Sequence, residues 1–126
     1  MAVTGQAYIE HVALYVQDIP WYLDFFKQTL GLTERMRKEE NNHLKQIWLF
    51  GGLQLIERST SEPQGQLAHL GIMVENQQET LAKILKYDVK QLPQGPNWIE
   101  LPDGLQLEIL QAAPNSVQQA LNVTPW

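Results

Sequence analysis

The alternation of apolar and polar residues predicts short β-strands that are interrupted by two amphipathic helices. Residues 8–16 are rich in β-branched and aromatic side chains and predict the first strand. With a period of two, this strand carries His11 on the same face as Ile9, Ala13 and Tyr15. One imidazole therefore stands on a mostly apolar strand face.

A helix is predicted to follow the first strand. Asp18 is its expected N-cap, Pro20 suits its first turn, and Gly31 is its expected stop. Three more strands are predicted at residues 32–38, 44–50 and 53–58, with a polar loop at residues 40–42 and a Gly-Gly turn at residues 51–52 between them. The first unit is thus one strand, one helix and three strands.

The same order of elements restarts after a polar linker at residues 59–66. Residues 67–74 predict a strand that carries His69 near its start, and Asn76 is the expected N-cap of the helix that follows. Further elements are predicted as strands near residues 89–92, 97–101 and 105–110, and as a short helix at residues 116–121. The second unit therefore repeats the order of elements in the first, which is one strand, one helix and three strands.

The two units form an internal repeat. His11 and His69 lie 58 positions apart, and the run Gly-Leu-Gln-Leu at residues 52–55 recurs at residues 104–107. Neither unit can bury its sheet face alone, so we expect the two sheets to pair, within one chain or between chains. We predict a single α+β domain that comprises module 1 at residues 7–58, a linker at 59–66, module 2 at 67–111 and a C-terminal tail at 112–126.

Glu108 stands in the middle of the last predicted strand, between Leu107 and Ile109, just after a turn signal at residues 102–104. A carboxylate on such a strand is unfavourable to bury unless a cation or a hydrogen-bond donor meets it. The sequence therefore predicts that Glu108 has a cationic or hydrogen-bonding partner.

Composition narrows the chemistry of any such partner. The chain of 126 residues contains no cysteine, so a metal ion would have to be held by histidine, carboxylate or amide oxygen.

Nine basic residues against fourteen acidic ones give no sign of a nucleic-acid or anionic-membrane surface. The sequence also shows neither a membrane-spanning apolar run nor a signal-peptide pattern, and we expect a cytoplasmic protein.

Several motifs resemble a known superfamily. The first module contains His11–Asp18, Phe25-Phe26 and Leu30–Leu32, and the second contains Ala68–Val74 and Pro102–Glu108. In this order they resemble the vicinal oxygen chelate superfamily, which includes glyoxalase I, methylmalonyl-CoA epimerase, extradiol dioxygenases, and the bleomycin and fosfomycin resistance proteins. The resemblance covers nearly the whole chain.

The resemblance implies two βαβββ modules whose curved mixed sheets enclose a cavity, often completed in a homodimer. In metal-dependent members the ligands come from the first and last strands of each module. Carried over, this assigns His11, His69 and Glu108, plus one residue of the strand at 53–58, as ligands of a divalent transition metal such as Zn, Ni, Co, Mn or Fe. His43 is predicted to lie in a surface loop without such a role.

Two residues compete for the fourth ligand position. Glu57 would give the two-histidine, two-carboxylate set of glyoxalase I, whereas Gln54 would give the set of some methylmalonyl-CoA epimerases. If the two Gly-Leu-Gln-Leu runs are superposed, Glu108 aligns with Ile56, and the period of two places Gln54 on the matching face. A bulge after Gly51-Gly52 would instead restore Glu57. Both residues stay candidates, and a site in which neither of them is a ligand is the remaining alternative.

The resemblance implies a metal-dependent lyase or isomerase of the glyoxalase or epimerase type that acts on a small oxygenated metabolite. The metal would polarise two adjacent substrate oxygens, and a carboxylate would move a proton. Glu108 is the first candidate for that base and Glu57 the second. A non-catalytic small-molecule binding protein of the bleomycin-resistance type is the alternative, and a dioxygenase is a further one.

Overall fold

The computed structural model describes residues 6–59 and 61–124, so the tail residue Trp126 lies outside the described part. In chain order its elements are β1 (Ala7–Val16), α1 (Ile19–Leu30), β2 (Glu34–Glu40), β3 (His43–Leu49), β4 (Leu53–Glu57), β5 (Gln66–Val74), α2 (Gln77–Ile84), β6 (Lys90–Gln91), β7 (Trp98–Glu100), β8 (Gln106–Gln111) and α3 (Ser116–Leu121). The predicted α+β class with two βαβββ modules is confirmed, and α3 covers the predicted residues of the tail helix.

In the first module the strand order is β2-β3-β4-β1, and in the second module it is β5-β8-β7-β6. Within the first module β4 pairs with β1 in parallel, and β2, β3 and β4 pair antiparallel in sequence order. The second module repeats this arrangement, because β8 pairs with β5 in parallel and β6, β7 and β8 pair antiparallel. In both modules the last strand thus returns to lie beside the first.

Helix α1 covers one face of the first module. The Asp18 carboxylate accepts a hydrogen bond from the Trp21 backbone N–H at 3.2 Å, which satisfies one of the free donors of the first turn. Gly31 ends the helix with φ of 68°, a left-handed conformation that glycine adopts without steric cost. The apolar core beneath the helix contains the buried residues Val16, Ile19, Ile47, Leu49 and Leu55.

Strands β2 and β3 form a tighter hairpin than the sequence suggested. Asn41 and Asn42 have φ of 52° and 62°, and they alone connect the two strands. Asparagine tolerates this left-handed region, which two-residue hairpin turns require. Glu40 and His43 therefore belong to the strands, and the predicted polar loop is shorter by one residue.

Helix α2 covers one face of the second module in a similar way. The Asn76 side chain accepts from the Glu79 backbone N–H at 3.0 Å, as the predicted N-cap requires. The core of this module contains the buried residues Val74, Ile99 and Ile109. In both modules the apolar core therefore lies on the sheet face that the helix covers.

Inter-residue contacts divide the chain into two compact units. One contains His11–Ala68, and the other contains Glu10 with the described residues before it and His69 with those after it. The finer module, linker and tail limits that we drew from the sequence stay predictions. No helix within the described segments is long and apolar enough to cross a membrane.

Candidate metal centre

Each module has a second sheet face, opposite to the face that its helix covers. Strand β1 places His11, Ala13 and Tyr15 on this face of the first module, because Val16 and its period-two neighbours point towards the helix. We call this surface the site face. From β3 and β4 the strand registers add Gln46, Trp48, Gln54 and Ile56 to it.

In the first module, the register brings one imidazole and one amide to the site face. Ala13 of β1 lies directly beside Gln54 of β4, and His11 is two residues before Ala13 on the same face. Only 5% of His11 and 3% of Gln54 are exposed. The first and last strands of the module therefore place two buried side chains on one face. One carries imidazole nitrogens and the other an amide oxygen, and both atom types can bind a metal ion.

The second module repeats this register with a carboxylate in place of the amide. Gly71 of β5 lies directly beside Glu108 of β8, and His69 is two residues before Gly71. His69 is 7% exposed, and its Nε2 lies 3.7 Å from Glu108 Oε1. His69 and Glu108 therefore occupy the same register positions in their module as His11 and Gln54 occupy in theirs.

Each module also has a tryptophan at the matching position on the strand next to its last one. Trp48 lies opposite Gln54 in the antiparallel β3–β4 pair, and Trp98 lies opposite Glu108 in the β7–β8 pair. The Trp98 and His69 rings meet edge to face, with centroids 4.7 Å apart and an interplanar angle of 75°. This contact restricts the orientation of the His69 imidazole.

The side-chain amide of Gln54 is hydrogen-bonded to the neighbouring strand. Its Nε2 donates a hydrogen bond to Gln46 Oε1 at 2.8 Å. Its Oε1 is buried and has no hydrogen-bond partner among the described residues. A buried carbonyl oxygen of this kind is unfavourable in the folded state unless a donor or a cation meets it.

The structure does not bring Glu57 to the site face. Glu57 lies beside Val16, which belongs to the core under α1, so its side chain leaves the sheet on the helix side. Its two carboxylate oxygens lie 2.6 Å from His43 Nε2 and 3.0 Å from Lys45 Nζ. The hydrogen bond from Lys45, with a second contribution from His43, holds the pKa of Glu57 below its ordinary value. The carboxylate is thus engaged in a surface ion-pair cluster.

Three of the residues singled out in the sequence offer a metal-binding group. His11 belongs to one of the two compact units, and His69 and Glu108 belong to the other, where His69 Nε2 and Glu108 Oε1 lie 3.7 Å apart. Both histidines are buried and Glu108 is half-buried. Two imidazoles and one carboxylate suit a divalent transition metal, and the donor types alone do not choose among Zn, Ni, Co, Mn and Fe.

Comparison of the structure with solved ones places it among known folds. Methylmalonyl-CoA epimerase from Mycobacterium tuberculosis superposes with a TM-score of 0.65 at 16% identity, over 96% of this chain and 97% of that one. The Streptomyces coelicolor epimerase gives 0.62 at 17% identity, over 85% of this chain and 95% of that one. The chain has the vicinal oxygen chelate fold. The resemblance noted in the sequence is therefore confirmed at the level of the fold.

A dioxygenase is also among the structures that superpose on this chain. The 2,3-dioxygenase LapB from Pseudomonas sp. KL28 superposes with a TM-score of 0.62 at 18% identity, over 83% of this chain and 42% of that one. No protein-family model matches the sequence, and no curated protein matches it either. At these identities the likeness establishes the fold, and the chemistry has to be argued from the site.

One polar residue of the site face was missed in the sequence. Gln46 contacts Gln54 because it lies opposite Ile56, which makes it a diagonal neighbour of Gln54 across the β3–β4 pair. The period of two in β3 places Gln46 on the same face as Trp48. Its contact with Gln54 depends on the strand register, for which the sequence offered no direct signal.

Proposed function

We propose that the protein is a metal-dependent lyase or isomerase of the glyoxalase or epimerase type, acting on a small oxygenated metabolite. The observation that carries this proposal is the repeated donor pair: His11 with Gln54 in one module, and His69 with Glu108 in the other, at matching register positions. A purely structural role would not require polar donors at all four of these positions. The 3.7 Å separation of His69 Nε2 from Glu108 Oε1 within the second module supports the same conclusion.

We assign Gln54 as the fourth ligand in preference to Glu57. Gln54 shares the site face with His11, and its buried Oε1 has no hydrogen-bond partner in the described part of the chain. An amide oxygen is a suitable donor for a divalent cation. Glu57 points to the helix side and is engaged by Lys45 and His43. The proposed ligand set is therefore two imidazoles, one amide oxygen and one carboxylate.

The bound metal would act as a Lewis acid on substrate oxygens and would stabilise the negative charge that develops when a neighbouring C–H proton is removed. Glu108 is the group that we propose to accept this proton. The described residues on the site face of β1, β3 and β4 include His11, Gln46 and Gln54 but no carboxylate. Glu108 therefore has no carboxylate competitor on those strands.

Dioxygenase chemistry is the second candidate. Two histidines and one carboxylate form the ligand set of non-haem Fe(II) oxygenases, and His11, His69 and Glu108 supply these residue types. Its fold occurs in the 2,3-dioxygenase LapB. In that case Gln54 would not be needed as a ligand, and replacing it would leave iron binding largely intact.

The first test is metal content, measured by elemental mass spectrometry on protein purified without a metal-affinity tag. We expect about one transition metal per chain in the wild type, and loss of it in His11→Ala and Glu108→Ala, because each removes one donor of a small set. Glu57→Gln is the matched control. It changes a carboxylate that is about as exposed as that of Glu108 but lies on the other face of the sheet.

The outcomes separate the hypotheses. Full metal retention in both His11→Ala and Glu108→Ala would refute the ligand assignment. Absence of metal from the wild type, even after incubation with Zn, Ni, Co, Mn and Fe(II), would favour the small-molecule binding alternative. If metal is present, turnover screens with hemithioacetals, acyl-CoA epimers and catechols distinguish lyase, isomerase and dioxygenase. The homodimer and the cytoplasmic location stay predictions.

A further inference from the structure

Gln46 is the one described polar side chain that a hydrogen bond joins to the proposed amide ligand. Its Oε1 accepts from Gln54 Nε2 at 2.8 Å. The bond crosses the antiparallel β3–β4 pair diagonally, between two residues that share the site face. Gln46 is half-buried, whereas Gln54 is almost fully buried.

An amide ligand poses a problem that a carboxylate does not. The terminal group of glutamine carries one oxygen and one NH₂, and a rotation of 180° exchanges them. Only the orientation with the oxygen towards the cation binds metal, because the NH₂ group has no lone pair to offer. In the structure the Gln46 oxygen lies beside the NH₂ group of Gln54, and while Gln46 presents that oxygen the metal-binding orientation of Gln54 is favoured.

We propose that Gln46 is a positioning residue, which holds the Gln54 amide with its NH₂ group towards β3 and its Oε1 available to the cation. This inference rests on the proposed function, since it assumes that Gln54 is a metal ligand. Gln46 itself does not touch the metal or the substrate. Its role is to disfavour the orientation of the Gln54 amide in which the NH₂ group would face the cation.

The test compares two substitutions of Gln46. Gln46→Met keeps the length of the side chain but removes the acceptor, and we expect Co²⁺ affinity to fall about tenfold, as is typical when the partner of a ligand is removed. Gln46→Glu keeps an acceptor for the Gln54 NH₂ group, so its Co²⁺ affinity should equal or exceed that of the wild type. Isothermal titration calorimetry measures the affinity, and the visible spectrum of bound Co²⁺ reports on the ligand geometry.

The same substitutions are repeated in a Gln54→Glu background. A carboxylate offers an oxygen in either orientation, so Gln46→Met should change Co²⁺ affinity there by less than about twofold. A merely structural role of Gln46 would weaken metal binding equally in both backgrounds. Equal losses in the two backgrounds would therefore overturn the inference.

A second readout does not require metal. In the metal-free protein, NMR should show slow hydrogen exchange of the Gln54 side-chain NH₂ group, retained in Gln46→Glu and lost in Gln46→Met. Unchanged exchange and unchanged Co²⁺ affinity in Gln46→Met would overturn the positioning role and leave the proposed function standing. Failure of the wild type itself to bind Co²⁺ would overturn both, and that outcome is recognised without any variant.

Discussion

Replacing Gln54 by leucine should make the metal-free protein as stable as the wild type or more stable. The wild-type side chain is 3% exposed, and its Oε1 has no hydrogen-bond partner in the described part of the chain. A buried polar atom without a partner costs about 1–3 kcal/mol of folding free energy. Leucine fills a similar volume without a polar atom and removes this cost.

One hydrogen bond is lost in exchange. The Gln54 Nε2 to Gln46 Oε1 bond contributes about 1 kcal/mol, and part of this returns because the half-buried Gln46 can bond to water. The net expectation is a gain of about 0–2 kcal/mol in the free energy of unfolding. For a chain of this length a gain of about 1 kcal/mol raises the midpoint of thermal unfolding by about 3–5 °C.

Urea denaturation in the presence of a chelator measures this difference, and the same titration is then repeated with excess Zn²⁺. The wild type should gain about 2.7 kcal/mol when free metal is about one hundred times its Kd, whereas Gln54→Leu should gain much less. The order of the two stabilities should therefore reverse when metal is added. Such a reversal is the signature of a residue retained for binding rather than for folding.

The neighbouring residue provides the control. Leu55 is fully buried and points towards α1, so Leu55→Ala should lower stability by about 2–5 kcal/mol, by the same amount with and without metal. The reasoning is refuted if Gln54→Leu is less stable than the wild type by more than about 1 kcal/mol without metal and keeps the full stabilisation by Zn²⁺.

Further predictions concern residues of the first module outside the candidate metal centre. In Lys45→Met the pKa of Glu57 should rise, because its largest lowering influence is removed; an unchanged value in an NMR titration would contradict the assigned ion pair. Because the folded-state pKa of Glu57 is lowered, its contribution to stability is complete above its unfolded pKa and disappears as the pH falls through the folded value. As the pH is lowered through that range, the free energy of unfolding should therefore fall less in Lys45→Met than in the wild type. Urea denaturation at a series of pH values measures this difference. Asp18→Ala removes the N-cap of α1 and should lower stability by about 1 kcal/mol, whereas Asp18→Asn should keep most of it; equal losses in both would show that the cap bond is unimportant.

The repeated pattern predicted the site face better than it predicted the contacts on that face. Superposing the two Gly-Leu-Gln-Leu runs aligned Glu108 with Ile56, whereas the strand registers make Glu108 equivalent to Gln54. The difference is two residues, so the face was right although the alignment was shifted. The alternation along a strand is a local property that the sequence carries directly.

Contacts across strands could not be predicted in the same way. The bond between Gln46 and Gln54 and the ion pairs of Glu57 depend on how β3 aligns with β4. That alignment is set by turn geometry and by packing of the whole module. His43 was expected in a loop and is instead the first residue of β3, because the Asn41-Asn42 turn needs only two residues. It is exposed, as predicted, and its partner is Glu57.

The parallel pairing of the first and last strands in each module also affects when the donor pairs can form. About 40 residues separate His11 from Gln54, and a similar number separates His69 from Glu108, so each pair closes a long loop of chain. Contacts of this sequence separation form late in folding, after local hairpins and helices. We therefore expect the donors of each pair to meet only once the last strand has docked, so that the proposed cation would stabilise a completed module rather than nucleate its folding.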